Sequence, residues 1–101
     1  MRRLMRDTIF ALKTALHVVS DYELAQRLGV TRQCVSAWQR GLANPDDLIA
    51  FRIALLLNRD PAKLIAEINL ERAKRADQRK KWKGVIAQLS VETKRKTDNT
   101  H

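Results

Sequence analysis

Residues 21–41 read DYELAQRLGVTRQCVSAWQRG, and this stretch decides the fold. It follows Ser20, which stands three positions before Glu23, and a serine followed by glutamate at that spacing is a capping box at a helix start. Gly29 comes where helices often end on a left-handed residue. The pattern therefore predicts a short helix over about 21–28 that ends in a sharp turn.

A second short helix is predicted directly after that turn, over about 32–40. Thr31 is placed to cap its start, and Gly41 is placed to close it. Small or apolar residues stand where the two helices must pack together: Leu24, Ala25, Leu28, Val30 and Val35. Polar side chains occupy the outward positions of the second helix: Arg32, Gln33, Ser36, Gln39 and Arg40. An α-helix fits the major groove of DNA, where Arg pairs with guanine and Gln with adenine.

The flanking sequence predicts three more helices. Apolar residues recur at three-and-four spacing over about 7–19: Ile9, Leu12, Leu16 and Val19. Asn44-Pro45 predicts a fourth helix start, with Asn44 as the N-cap, and Asp60-Pro61 predicts a fifth. No stretch alternates with a period of two, so the chain is predicted to be all-α, with five helices within about 70 residues.

The pattern L-A-x-x-L-G-V-T-R-x-x-V-S-x-W-x-x-G runs from Leu24 to Gly41 and is followed by Pro45. It resembles the lambda-repressor and Cro-like helix-turn-helix domains, often called the XRE family, over about residues 8–70. The resemblance implies a five-helix DNA-binding domain whose recognition helix is 32–40. The chain departs from the commonest pattern in two places. Arg40 follows Trp38-Gln39, where many members carry Trp-Glu before the glycine, and a basic extension continues beyond Leu70.

The resemblance also implies roles for single residues. Positions that face bases in such domains are occupied here by Thr31, Arg32, Gln33, Ser36 and Ala37. Positions that meet the DNA backbone are occupied by Asp21, Tyr22, Arg40 and Asn44. Asp21 is an acid, so we expect a phosphate contact there only from its backbone N–H, and Tyr22 is the better side-chain candidate. Trp38 is expected to pack inside the domain.

The rest of the chain is strongly basic. The formal net charge is +9, which favours a polyanionic partner. Seven of the basic residues fall within 72–83; they are expected either to lie along phosphates or to form an ordinary solvated surface. A second apolar stripe follows: Trp82, Val85, Ile86 and Leu89. Such a stripe needs burial, and we expect homodimerisation through it in preference to folding back on the first helix.

These features divide the chain into a helix-turn-helix domain at 1–70, a basic helical extension at 71–89 and a disordered tail at 90–101. Cys34 is the single cysteine, so no internal disulfide is expected, and no metal or cofactor site is indicated. No catalytic constellation is present. Without a signal peptide or an apolar run long enough to span a bilayer, the protein is expected in the cytoplasm.

The sequence leaves several functions open. The leading hypothesis is a phage or prophage Cro- or repressor-type regulator, bound as a homodimer to a pseudo-palindromic operator in double-stranded DNA. The second is an antitoxin that represses its own operon, with a toxin or another phage protein as partner. A protein-interaction adaptor is the alternative from another class, and a membrane-surface role for 72–89 is the least favoured.

Overall fold

The computed structural model describes the backbone of residues 4–98 and the side chains of residues 4–91. This part of the chain is entirely helical, which confirms the predicted fold class. It contains six α-helices: α1 (Leu4–Leu16), α2 (Asp21–Leu28), α3 (Arg32–Gln39), α4 (Asp47–Leu56), α5 (Pro61–Arg72) and α6 (Ala76–Asp98). The first five helices are those that the sequence predicts.

One core joins the first five helices. Its most deeply buried side chains come from each of them: Leu12, Leu24, Leu28, Val35, Ile53 and Leu64. Helices α2 and α3 pack on each other, and α1 and α4 pack behind them. Trp38 is only 5% exposed, so its predicted packing role is confirmed. The helix-turn-helix is thus held from behind, and one side of α3 remains outside the core.

The caps predicted at the starts of α2, α3 and α5 form in the structure. The Ser20 hydroxyl accepts a hydrogen bond from the backbone N–H of Glu23 at 3.1 Å, and Thr31 accepts one from Cys34 at 3.2 Å. Gly29 has a φ of 72°, the left-handed conformation that the turn requires. Asp60 caps α5, and Pro61 is its first residue. Ser20, Thr31 and Asp60 each satisfy a backbone donor at a helix start, and Gly29 ends α2, so the boundaries of α2 and α3 follow from local chemistry.

The first helix is displaced from its predicted position. It begins at Leu4 and ends at Leu16 rather than continuing to Val19. His17 takes a left-handed backbone conformation with a φ of 56°, which stops the helix. As a result Val18 turns into the core, whereas Val19 is 88% exposed. Assigning Val19 to the buried stripe of this helix was therefore wrong.

The start of α4 also differs from the prediction. Its N-cap is Asp46, whose carboxylate accepts a hydrogen bond from the backbone N–H of Ile49 at 2.9 Å. Asn44 lies two residues earlier and does not cap the helix. Both residues are good capping types, and the sequence alone did not separate them. The side chain of Asn44 is consequently not used at the helix start.

Helix α6 runs antiparallel to α5 and packs along it. Near its beginning, Arg79 donates hydrogen bonds to the carbonyl groups of Leu70 and Ala73 at the end of α5. Ser90 of α6 lies in a cavity with Leu64, near the start of α5. The extension therefore folds back within its own chain, and it does so on α5 rather than on the first helix.

The apolar stripe of α6 is partly covered by this packing. Trp82, Ile86 and Leu89 are half-buried, whereas Val85 is 42% exposed. The helix also continues to Asp98 and does not end at Ser90, where the sequence predicted a disordered tail. The Ser90 hydroxyl donates to the carbonyl oxygen of Ile86 at 2.9 Å, an arrangement that leaves the helix intact. The last three residues of the predicted tail lie outside the described part of the chain.

Candidate nucleic-acid interface

A groove runs between the start of α2 and the outer face of α3. We call it the recognition groove; its lining residues are Ser20, Asp21, Tyr22, Arg32, Gln33, Ser36, Ala37 and Arg40. It brings together four of the five side chains assigned to base contacts and three of the four assigned to the DNA backbone. Residues from both helices of the helix-turn-helix therefore meet on one open surface.

The two remaining predicted contacts lie beside this groove. Thr31 is the exposed N-cap residue of α3, and its hydroxyl already accepts the N–H of Cys34. Asn44 is half-buried and lines a second groove on the other side of α3. Gln33 and Ala37 line both grooves and thus form the outer ridge of the helix. A nucleic acid seated on this ridge would have the remaining predicted residues on its flanks.

The orientation of α3 follows from two buried residues. Val35 and Trp38 fix one face of the helix in the core. Because side chains three and four apart share a helix face, residues 33, 37 and 40 must project on the opposite side. Arg32, Gln33 and Arg40 are exposed, as this geometry requires. Packing in the core therefore holds the ridge rigidly, as is required of a helix that enters the major groove of DNA.

Arg32 and Gln33 are available for an external ligand. Within the described part of the chain, neither side chain has a hydrogen bond or ion pair with another residue. Both stand in the first turn of α3, the end that contacts base edges in helix-turn-helix proteins. Their donors and acceptors match guanine and adenine respectively. This pair is the most direct candidate for base recognition.

Asp21 occupies a different role from its neighbours in the groove. Its carboxylate accepts hydrogen bonds from Nζ of Lys13 at 2.6 Å and from Nε2 of Gln39 at 2.9 Å. The hydrogen bond from Lys13 is the main reason that the pKa of Asp21 lies below its ordinary value, and the bond from Gln39 acts in the same direction against partial burial. The carboxylate therefore ties α1, α2 and α3 together, and its negative charge is compensated by Lys13.

The sequence does not identify Lys13 as part of the site, and it places Gln39 on the outward face of α3. Their partner Asp21 is eight residues from Lys13 and eighteen from Gln39. No local spacing rule connects residues at such separations on three helices. The sequence carries only a weak signal, an acid at the first position of a helix that faces DNA.

Tyr22 is the most exposed aromatic side chain in the recognition groove. It is 58% exposed, and its hydroxyl oxygen accepts a hydrogen bond from Nε2 of Gln26 at 3.0 Å. The phenolic hydrogen remains available to donate. The amide groups at the start of α2 and this hydroxyl together form a donor surface suited to a phosphate.

The cations of the extension fall into two groups. Arg79 caps α5, and Arg75 pairs with Asp77 at 3.3 Å, so both have partners within the chain. Four lysines are exposed on or before α6: Lys74, Lys80, Lys81 and Lys83. Together with Arg72, which is exposed at the end of α5, these four lysines carry the part of the basic run that can act on an external anion.

Two further findings concern the described residues as a whole. Between residues 4 and 98, no helix has both the length and the apolar character needed to cross a bilayer. Among the side chains that the structure describes, those of residues 4–91, no three of His, Cys, Asp or Glu gather into a group that could hold a metal ion.

Comparison with known proteins agrees with this geometry. Residues 19–64 match the helix-turn-helix family of lambda-repressor and Cro-like proteins. The match spans just under half of the chain and contains α2, α3, α4 and the start of α5. No curated protein and no solved structure matches the chain. Residues 19–64 therefore form a lambda-repressor/Cro-like helix-turn-helix domain, and this domain supports DNA binding and transcription regulation as the role of the chain.

Proposed function

We propose that the chain is a sequence-specific repressor of the small phage or prophage type, acting in the bacterial cytoplasm. The observation that carries this proposal is the recognition groove, in which Arg32 and Gln33 are exposed and unpaired on a helix that the buried Val35 and Trp38 hold rigidly. A side-chain pair with this chemistry reads base edges, which a non-specific DNA-binding protein does not need.

In this proposal α3 lies in the major groove with its first turn toward the bases. Arg32 donates to guanine, and Gln33 exchanges hydrogen bonds with adenine. Ser36 and Ala37 offer a hydroxyl and a methyl group from the next turn, and Thr31 contributes from the start of the helix. A protein seated over a promoter in this way excludes RNA polymerase, so repression needs no further domain.

Contacts with the DNA backbone hold α3 in register with the bases. The N–H groups at the start of α2, including that of Asp21, and the Tyr22 hydroxyl face one strand. Arg40 also lines the recognition groove and adds a positive charge there. Asn44 contacts the DNA backbone on the other side of α3. These contacts carry no sequence information, but they fix which base pair each residue of α3 meets.

We further propose that two copies bind a pseudo-palindromic operator as a homodimer. One α3 helix spans only a few base pairs, and two-fold dimers place two such helices about 34 Å apart on one face of the duplex. The sequence assigns the contact between copies to the α6 stripe. In the folded chain, packing on α5 half-buries Trp82, Ile86 and Leu89 and leaves only Val85 of the stripe exposed, so the stripe is a poor contact surface.

Selection of bound sequences from a random duplex library tests the proposal. We expect a palindromic consensus from the wild-type chain. The Arg32→Ala and Gln33→Ala variants should each lose preference at one position of both half-sites. Glu23→Ala is a matched control, because Glu23 is exposed on α2 outside the groove lining. Recovery of no consensus, or of the same consensus from every variant, would contradict sequence-specific recognition by α3.

A further inference from the structure

Helix α4 is apolar on both of its sides. Its inner face is buried in the core through Ala50, Ile53 and Ala54. Its outer face carries Leu48 at 65% exposure, Phe51 at 46% and Leu55 at 60%. With 3.6 residues per turn, these three lie within an arc of about 60° on the helix surface. We call this set, together with the 43%-exposed Leu56 at its edge, the α4 face.

The size of the α4 face sets it apart from other exposed apolar residues. Phe10 and Val19 are more exposed, but single apolar residues on a surface are ordinary. The four side chains of the α4 face expose roughly 400 Å² together, which is near the largest patch of a typical monomer. That area is about half of what a standard interface takes from each partner, and the apolar core of a homodimer interface is surrounded by a polar rim.

The charges around the α4 face are separated along the helix. Asp46 and Asp47 stand exposed at its beginning, and the exposed Arg59 follows its end. The exposed Arg52 lies between Leu48 and Leu56 on the helix surface, and its guanidinium group is directed to its own chain, where Nη1 lies close to Gly29. An acidic start and a basic end are complementary to the same helix in the opposite direction. A parallel arrangement would bring like charges together.

We propose that the α4 face is the surface through which a second copy of this chain binds, with the two α4 helices antiparallel about a two-fold axis. Phe51 lies at the axis, and Leu48 of one copy faces Leu55 of the other. Such an interface is self-complementary and closes at two copies. The antiparallel helix dipoles add to the charge complementarity. This inference names the partner of the proposed DNA-binding dimer and rests on that function.

Two observations favour this surface over the α6 stripe. Three residues of the stripe are already half-buried by packing on α5, so the stripe has a partner within the chain. The outward side chains of α4 have none: among the described residues, nothing covers Leu48 or Leu55 beyond about a half. In addition, the α4 face shares no residue with the recognition groove, so both surfaces can be occupied at once.

Sedimentation velocity of the full-length chain over a wide range of protein concentration tests the proposal. Leu48→Glu places an unpaired carboxylate in the interface of each copy, and we expect the dimer dissociation constant to rise by about a hundredfold or more. Adding Leu55→Lys to the same chain should restore the dimer, because each new carboxylate then faces an ammonium group of the other copy. Within one chain these positions are two turns apart, so restoration requires the antiparallel pairing.

Matched variants carry the same change elsewhere. Phe10→Glu on α1 and Val85→Glu on α6 alter exposed apolar residues by the same charge and should leave the dimer intact. Melting followed by circular dichroism confirms that each variant is folded; Leu55→Glu replaces Leu48→Glu if the latter is not. A wild-type chain that stays monomeric overturns the proposal. So does a dimer that survives Leu48→Glu, or a double variant that is not restored.

Binding to a duplex with a single half-site separates this inference from the proposed function. Leu48→Glu should bind a half-site as tightly as the wild type, since α3 is untouched, but should lose the cooperative binding of a second copy to the full palindrome. If the wild type discriminates no duplex sequence, the proposed function is wrong and the sedimentation result still stands. If half-site binding is normal and both copies still bind cooperatively, the α4 interface is wrong.

Discussion

The carboxylate of Asp21 lies 2.6 Å from Nζ of Lys13, across the junction between α1 and α2. The same carboxylate oxygen accepts a hydrogen bond from Gln39 at the end of the recognition helix. A single oxygen atom thus joins three helices in the lining of the recognition groove. The contact also compensates a negative charge at a place where DNA phosphates are expected, so it serves both the packing and the electrostatics of the site.

Removal of the Asp21 charge should destabilise the domain. We expect Asp21→Asn to lower the free energy of unfolding at neutral pH by about 1 kcal/mol, since partly exposed ion pairs contribute modestly and this one adds a hydrogen bond from Gln39. Urea denaturation measures the change. Lys13→Met should cost a similar amount, and the double variant should cost less than the sum of the two.

The destabilisation should depend on pH in a defined direction. The pKa of Asp21 is lowered in the folded chain from its ordinary value of 3.8, chiefly by the hydrogen bond from Lys13. The stabilisation is therefore complete above that ordinary value and disappears as the pH falls through the lowered pKa of the folded state. We expect the wild type and Asp21→Asn to converge in stability in strong acid. A difference that grows on acidification would contradict this assignment.

If Arg32 and Gln33 recognise bases, their substitution should weaken DNA binding without lowering the stability of the domain. Each alanine substitution should cost about 1–3 kcal/mol on the selected operator and relax the preference at one base pair. Melting temperatures should change little, because neither side chain has a hydrogen bond or a close ion pair within the described part of the chain, and Arg32 acts on Asp21 only through its charge. Fluorescence anisotropy with matched and single-mismatch duplexes measures both quantities. Full affinity and an unchanged preference in both variants would place recognition elsewhere.

Trp38 should act on stability and reach DNA only through the position of α3. The ring is almost fully buried, so Trp38→Ala should lower the free energy of unfolding by about 3–5 kcal/mol. Trp38→Phe keeps most of the packing volume and should cost much less. A Trp38→Ala variant that melts as the wild type does but no longer binds DNA would show that the indole contacts the nucleic acid.

Much of the fold follows from signals within four residues. Ser20 and Thr31 cap helices through atoms three positions ahead, and Gly29 alone supplies the left-handed turn, so residues 20–41 could be predicted closely. His17 shows the limit of this approach. It adopts the conformation usually given to glycine, with a φ of 56°, and no pattern around it marks the end of α1. The sequence therefore could not show that Val18 is buried and Val19 is exposed.

The candidate site divides in the same way. The outward ridge of α3 was predictable, because the spacing of Val35 and Trp38 sets which residues oppose them. The hydrogen bonds of the polar side chains were not predictable, since the contacts of Asp21 and Gln39 depend on how three helices meet. The packing of α6 on α5 likewise requires the tertiary structure: Trp82 and Ile86 form a stripe in the sequence, but which partner covers it is decided by the short connection after Arg72.

The exposed lysines of α6 provide the last prediction. Lys80, Lys81 and Lys83 are exposed without a partner in the described residues, whereas Arg79 is hydrogen-bonded to the end of α5. Replacing the three lysines by glutamine should weaken binding to all duplex sequences by a similar factor. The slope of log K against log salt should shrink by roughly one for each phosphate that a lysine no longer neutralises.

Replacing the same lysines by arginine keeps the charge and should leave the slope unchanged. Because these lysines stand outside the recognition groove, the selected consensus should be the same for all three proteins. A glutamine variant with an unaltered salt slope would show that this part of α6 is a solvated surface and that DNA is held by the helix-turn-helix alone.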